Sequence, residues 1–198
     1  MVYADLDGFG LSVRGVAQAE AAAAYLALTP VALVVASPLQ RAQETARVIA
    51  SAHPDARFIV DDGLTEWRLG SRWAGTVWED LPDRFPGELE AYLAHPEDLP
   101  FSPEPLEAAG GRFAAAAAEA FASIPAGDVV IVSHQDPVQA GRLTLTGRSF
   151  DNFHQHKPGH AAVITLTPPV DPESRWRRSD WWEPDQGPAF PPLGDSSD

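Results

Sequence analysis

SPLQRAQETA, residues 37–46, follows the apolar run VALVVA (31–36) and opens a segment in which Leu39, Ala42, Ala46, Ile49 and Ala50 recur at helical spacing. A buried strand therefore ends at Ser37 and a helix begins there. Arg41 falls in the first turn of that helix, where unpaired backbone N–H groups and the positive end of the helix dipole favour an anion. A phosphate or a carboxylate is the natural guest. Position alone also allows a solvated charge or an ion-pair partner.

The same grammar returns at VVIVSH (129–134), the clearest buried strand in the chain, which ends in Ser133 and His134 before a helix opening at Asp136-Pro137 and running to Leu145. In open α/β sheets this edge is where ligands bind, so Arg41 and His134 share one crevice if their strands are neighbours. A histidine at a strand end is equally a structural hydrogen-bonding residue.

Around these two units the chain reads as α/β. Ser12 caps a first helix to about Leu28, RFIV (57–60) is a short strand, and GELEAYL (87–93) is a short helix broken by HPEDLPFSPEPLE (95–107). An alanine-rich helix follows over 106–123, with Phe113, Ala117 and Phe121 as a stripe facing a sheet. AAVITL (161–166) is the final strand. Residues 1–10 read as a loop, and DDGLTEWRLGSRWAGTVWEDL (61–81), dense in Gly and Trp, as a long functional loop. In it Glu66 adjoins Trp67. A carboxyl beside large aromatics gains proton affinity by desolvation and can act as a general acid, whereas a solvated loop glutamate cannot. Trp67, Arg68, Arg72, Trp73 and Trp78 line the pocket mouth or pack.

Composition narrows the function. With 198 residues the chain is read as one domain over 1–168 and a Pro-, Trp- and Asp-rich tail over 169–198, ending in mobile GDSSD. Twenty-eight acidic against 14 basic residues give a net charge of −14, which repels nucleic acid and anionic membranes. Arg175, Arg177 and Arg178, with Trp176, Trp181 and Trp182, pair locally or cover a hydrophobic flank. No cysteine is present, and no apolar run approaches the roughly 18 residues of a membrane span. A cytoplasmic protein is expected. His154, His156 and His160 have chelating spacing but no completing carboxylate or thiolate pattern, so no metal and no cofactor is expected.

These segments resemble the histidine phosphatase superfamily, which includes the phosphoglycerate mutases. LSVRGVAQAEAAAAYL (11–26) resembles its first helix, SPLQRAQETARVIA its most recognisable internal motif and GLTEWRLGSRWAG (63–75) the loop holding its acid. VVIVSHQDP resembles the second histidine motif and PGHAAVITL the last strand. The resemblance implies a three-layer α/β/α sandwich with a mostly parallel sheet, a phosphate pocket at its carboxyl edge, and metal-independent hydrolysis of phosphomonoesters through a phosphohistidine. Residue by residue, it implies that Arg41 binds phosphate, that Glu66 protonates the leaving alcohol, and that His134 is the second pocket histidine.

The departure is that no Arg-His-Gly occurs anywhere in the sequence. In the family that motif ends the first, central strand and carries the nucleophile. N-terminal truncation is the favoured explanation. The expectation is a phosphorylated small-molecule substrate for the whole protein, with a weakly active or inactive chain here that oligomerises or is poorly soluble. A non-catalytic phosphate-binding pseudophosphatase and a phosphoglycerate mutase are the alternatives.

Overall fold

A computed structural model describes residues 1–6, 8–151, 153–171 and 174–184. Its helices are α1 (Val13–Leu26), α2 (Gln40–Ser51), α3 (Leu69–Trp73), α4 (Leu81–Arg84), α5 (Glu88–Ala94), α6 (Leu106–Ala122) and α7 (Gln135–Thr146). Its strands are β1 (Val31–Ala36), β2 (Arg57–Val60), β3 (Asp128–Val132), β4 (Val163–Thr167) and β5 (Arg177–Trp182).

The VALVVA run is β1, hydrogen-bonded in parallel to β2 on one side and β3 on the other. Alternation then separates its side chains. Leu33 and Val35 pack on Phe113, Ala116, Ala117 and Ala120 of α6, while Val34 and Ala36 pack on Ala46 of α2. Ala23 and Leu26 of α1 extend the second layer with Ile49. The result is an α/β fold with helices on both faces of a parallel sheet. Leu33, Val34 and Val35 are at most 1% exposed, and each such burial contributes roughly 1.5–3 kcal/mol.

Local signals place the helix ends. Ser12 Oγ accepts from Gly15 N at 3.1 Å and starts α1, which ends at Leu26 rather than Leu28. Gly87, in the left-handed region at φ 80°, precedes α5. At Gly127, φ 95°, a Cβ would lie 2.8 Å from Pro30 O, so the tight entry into β3 needs glycine.

Four readings of the sequence are corrected. β3 is only half-buried despite its apolar sequence, because β1 is its one hydrogen-bonded strand neighbour among the described residues. AAVITL is not the final strand: part of the stretch read as a tail forms β5, antiparallel to β4. There Tyr25 stacks on Trp182 at 4.6 Å. The 61–81 loop contains α3 and two single 3₁₀ turns, Asp62–Leu64 and Trp78–Asp80. Phe121 leaves the sheet-facing stripe. It is 39% exposed and meets the Trp176 ring edge-on at 5.7 Å. The reading of 194–198 as mobile lies outside the described residues.

β4 and β5 form a separate two-stranded sheet. Neither β3 nor β4 has a second strand neighbour among the described residues, yet their side chains meet on both faces. Val163 joins Val130 and Val132 on the α1/α2 side, and Leu166 joins Val129 and Ile131 on the α6 side. The two strands therefore pack against the same two hydrophobic clusters, one on each face of the sheet.

Small residues let α6 and α7 approach closely. A Cβ on Gly141 would lie 2.0 Å from Phe113 Cδ1, well inside contact distance. Gly141→Ala is expected to cost about 1–3 kcal/mol by overpacking, measured by urea or thermal unfolding. An unchanged unfolding midpoint would contradict this packing.

Candidate active site

The carboxyl ends of β1 and β3 lie side by side, and the polar residues that follow each strand meet there. Ser37 N donates to Val132 O at 2.9 Å, and Ser37 Oγ lies 2.7 Å from His134 Nε2. His134 precedes α7 in extended conformation, φ −121° and ψ 164°, so its imidazole is buried at the strand edge. Arg41 lies in the first turn of α2, which starts at Gln40, three residues later than the sequence pattern suggested.

Arg41 reaches toward the N-terminal segment. Its Nη2 donates to Ala4 O at 2.5 Å, and its Nη1 is buried without a hydrogen-bond partner among the described residues. Val2 N donates to Thr76 O at 2.8 Å and Gly75 N to Val2 O at 2.9 Å, pinning this segment against the 61–81 stretch. Ala4 pays for the bend with φ 46°, a left-handed conformation costing about 1–2 kcal/mol. A neutral carbonyl on a partly buried guanidinium leaves donor capacity that an anion would use better.

Glu66 reaches the same place from the loop after β2. Its Oε1 accepts from Trp67 N at 2.9 Å, and its Oε2 is 3.8 Å from His134 Nδ1. That approach is not an ion pair. Desolvation, assisted by Asp136, pushes the Glu66 carboxyl up to about 7. Desolvation, with Arg41 and Arg112 nearby, pushes His134 down to about 3. Between those values both groups are neutral, so a protonated carboxyl sits beside a neutral imidazole and an arginine.

The sequence reading missed the residue that positions Glu66. Arg112 of α6 donates to the carbonyls of Gly63, Thr65 and Glu66 at 2.8, 2.6 and 3.0 Å, and pairs with Glu104 at 2.7 Å. Glu104 also accepts from Arg68 N at 3.1 Å, and its carbonyl from Trp67 Nε1 at 2.9 Å. A signal existed. Arg112 lies three residues after Ala109 and four before Ala116, on the apolar side of an alanine-rich helix. A cation there requires polar partners.

The aromatic residues of the loop divide. Trp67 and Trp73 are core, Arg72 pairs with Glu88 at 2.6 Å, and Trp78 packs on Trp73 edge-on at 6.3 Å. Of the histidine-rich stretch, His154 Nε2 lies 2.7 Å from Tyr92 O. No group of three or more His, Asp or Glu able to hold a metal ion occurs among the described residues, and no described helix is long and apolar enough to cross a membrane.

The family model described as histidine phosphatase superfamily (branch 1) matches residues 3–188. A Mycobacterium tuberculosis protein, Rv0525, is 35% identical over 175 residues, covering 84% of this chain and 80% of that protein. Phosphoserine phosphatase 1 of Hydrogenobacter thermophilus is 28% identical over 144 residues, covering 72% of this chain and 67% of the enzyme. Among solved structures, the mycobacterial glucosyl-3-phosphoglycerate phosphatase Rv2419c superposes with a TM-score of 0.78 at 29% identity, over 90% of this chain and 89% of that one.

The proton affinity of Glu66 has a measurable consequence. A carboxyl raised from 4.5 to about 7 by folding contributes stability that is complete below its unfolded value and lost as pH rises through the folded one. Glu66→Gln removes that loss. The stability of the variant relative to wild type should therefore increase between pH 5 and 8, by on the order of 1–3 kcal/mol. Thermal melts across that range test it, and a pH-independent difference contradicts the assignment.

Proposed function

The chain belongs to the histidine phosphatase superfamily, and on that premise we propose that it is most of a phosphomonoesterase acting on a small phosphorylated molecule. One observation carries the reading. Arg41, whose buried Nη1 has no hydrogen-bond partner among the described residues, lies at the strand edge where His134 meets Glu66, a carboxyl whose proton affinity desolvation raises to about 7. These are the charges and proton that phosphoryl transfer to an imidazole requires.

In this reading Arg41 and His134 hold the phosphoryl oxygens. An imidazole nitrogen attacks phosphorus, the ester P–O bond breaks, and Glu66 gives its proton to the departing alcohol oxygen. Water then attacks the phosphohistidine. The Glu66 carboxylate takes the water's proton, inorganic phosphate leaves, and both groups return to their starting states. Protein cations and hydrogen-bond donors supply the charge that a metal ion supplies elsewhere. Desolvation suits Glu66 to both roles, because a group titrating near 7 gives and takes a proton readily at neutral pH.

We infer that the attacking imidazole and one strand come from outside these 198 residues. No Arg-His-Gly is present, and among the described residues β3 and β4 each lack a second strand neighbour while packing on the same two hydrophobic clusters. A parallel strand set between them would complete the sheet and bring its carboxyl end beside Ser37 and His134. The N-terminal contact of Ala4 with Arg41 would then give way to phosphate. Within the family, phosphatase is favoured over mutase because the chain between Glu66 and His134 carries little beyond α3–α6.

Two measurements test the proposal. Inorganic phosphate should raise the melting temperature of the 198-residue chain, and Arg41→Ala should abolish the shift; no shift in wild type counts against the pocket. A chain extended upstream in the same reading frame should hydrolyse an aryl phosphate at least about 10³-fold faster than this one, the scale of losing a nucleophile. Equal turnover would overturn the external-nucleophile reading. Binding without turnover in the extended chain would instead favour a pseudophosphatase, and phosphoryl transfer between glycerate positions a mutase.

A further inference from the structure

One ion pair beside this site is absorbed by neither the core nor the proposed chemistry. Lys157 leaves the loop before β4, crosses the rings of Phe153 and Tyr92 at 4.9 and 5.2 Å, and pairs with the Asp136 carboxylate. Its Nζ also donates to Tyr92 Oη at 2.7 Å, and Tyr92 Oη donates to Asp136 Oδ2 at 3.2 Å. Both charged side chains are largely but not fully buried, 14% and 20% exposed.

This triad is fixed next to Glu66 from two directions. Asp136 stands in the first turn of α7, two residues after His134, which approaches Glu66. Tyr92 and Phe153 both pack on Trp67, the residue after Glu66, at 6.1 and 6.3 Å. Asp136 and Lys157 both lie close enough to act electrostatically on Glu66, so an alcohol whose ester oxygen sits on Glu66 would have its substituent within reach of this pair.

The triad can still bind. An ammonium has three N–H donors, and Lys157 uses two, on Asp136 and Tyr92, with no third partner among the described residues. Asp136 has acceptor positions left beyond Lys157 and Tyr92. Tyr92 stays a neutral hydroxyl, since burial and Asp136 raise it well above its usual range. Burial keeps His154 on the neutral side. The cluster is therefore one positive and one negative charge in a partly desolvated wall.

Such a wall penalises a ligand bearing a single charge, because insertion leaves one charge uncompensated. A ligand bearing both signs forms two complementary pairs with no net charge added. We propose that Asp136 and Lys157 are a specificity subsite for phosphomonoesters whose alcohol is a zwitterionic amino acid, with the ligand ammonium on Asp136 and its carboxylate on Lys157. This rests on the phosphatase reading of the pocket.

Calorimetric titration of the 198-residue chain with five ligands decides it: inorganic phosphate, ethyl phosphate, O-phosphoethanolamine, 3-phosphoglycerate and O-phospho-L-serine. Phosphoserine should bind at least about tenfold more tightly than ethyl phosphate and than either singly charged ester, the scale of one charge-assisted contact. Lys157→Gln and Asp136→Asn should each bring the phosphoserine-to-ethyl-phosphate ratio toward unity. Phosphate binding with phosphoserine no better than 3-phosphoglycerate or phosphoethanolamine overturns the subsite alone. Failure of all five ligands, inorganic phosphate included, overturns the pocket and the subsite with it.

Discussion

The hydrogen bond between Ser37 and His134, 2.7 Å long, joins the carboxyl ends of two strands that are far apart in sequence. It exists because β1 and β3 are parallel neighbours in register, Ala36 opposite Val132. Parallel pairing sends both chain exits to the same edge, where each strand hands its polar terminal residue to the start of a helix. Arg41 and His134 are carried to one place by that geometry alone. Glu66 is not. It depends on Arg112, whose guanidinium gathers the carbonyl groups of Gly63, Thr65 and Glu66 from a segment with little regular structure.

Desolvation then differentiates the groups so assembled. Water exclusion disfavours the charged form of both an acid and a base, so Glu66 and His134 move in opposite directions and are neutral together near pH 6. Arg41 remains the cation of the trio. This division of proton occupancy between adjacent residues is what the proposed phosphoryl chemistry would use, and it follows from burial more than from any pairwise contact.

The sequence was legible where one residue's fate depended on its near neighbours. β1 and β2 begin and end where the apolar runs do, and the N-cap at Ser12 sets the start of α1. It was less legible where neighbours in space decide. The VVIV run looks like the most buried strand but has one strand partner among the described residues, so its side chains are only partly buried. RWRRSDWW alternates poorly and looks like a tail, yet pairs with β4 because Trp182 finds Tyr25 and Trp176 finds Phe121. Arg112 could have been suspected from its place in an apolar stripe. Asp136, Lys157 and Tyr92 could not, since they come from three separate elements.

The sequence by itself determined the α/β class, the strand-to-helix exits that place Arg41 and His134, and the motif order shared with the histidine phosphatase superfamily. All of these are written in local periodicity and in short motifs. Only the tertiary structure decided that the two exits adjoin, that Glu66 meets them in a desolvated setting, that β3 and β4 each have one strand partner among the described residues, and that a net-neutral ion pair stands near Glu66. Adjacency and desolvation are properties of packed elements, and no stretch of chain encodes them alone.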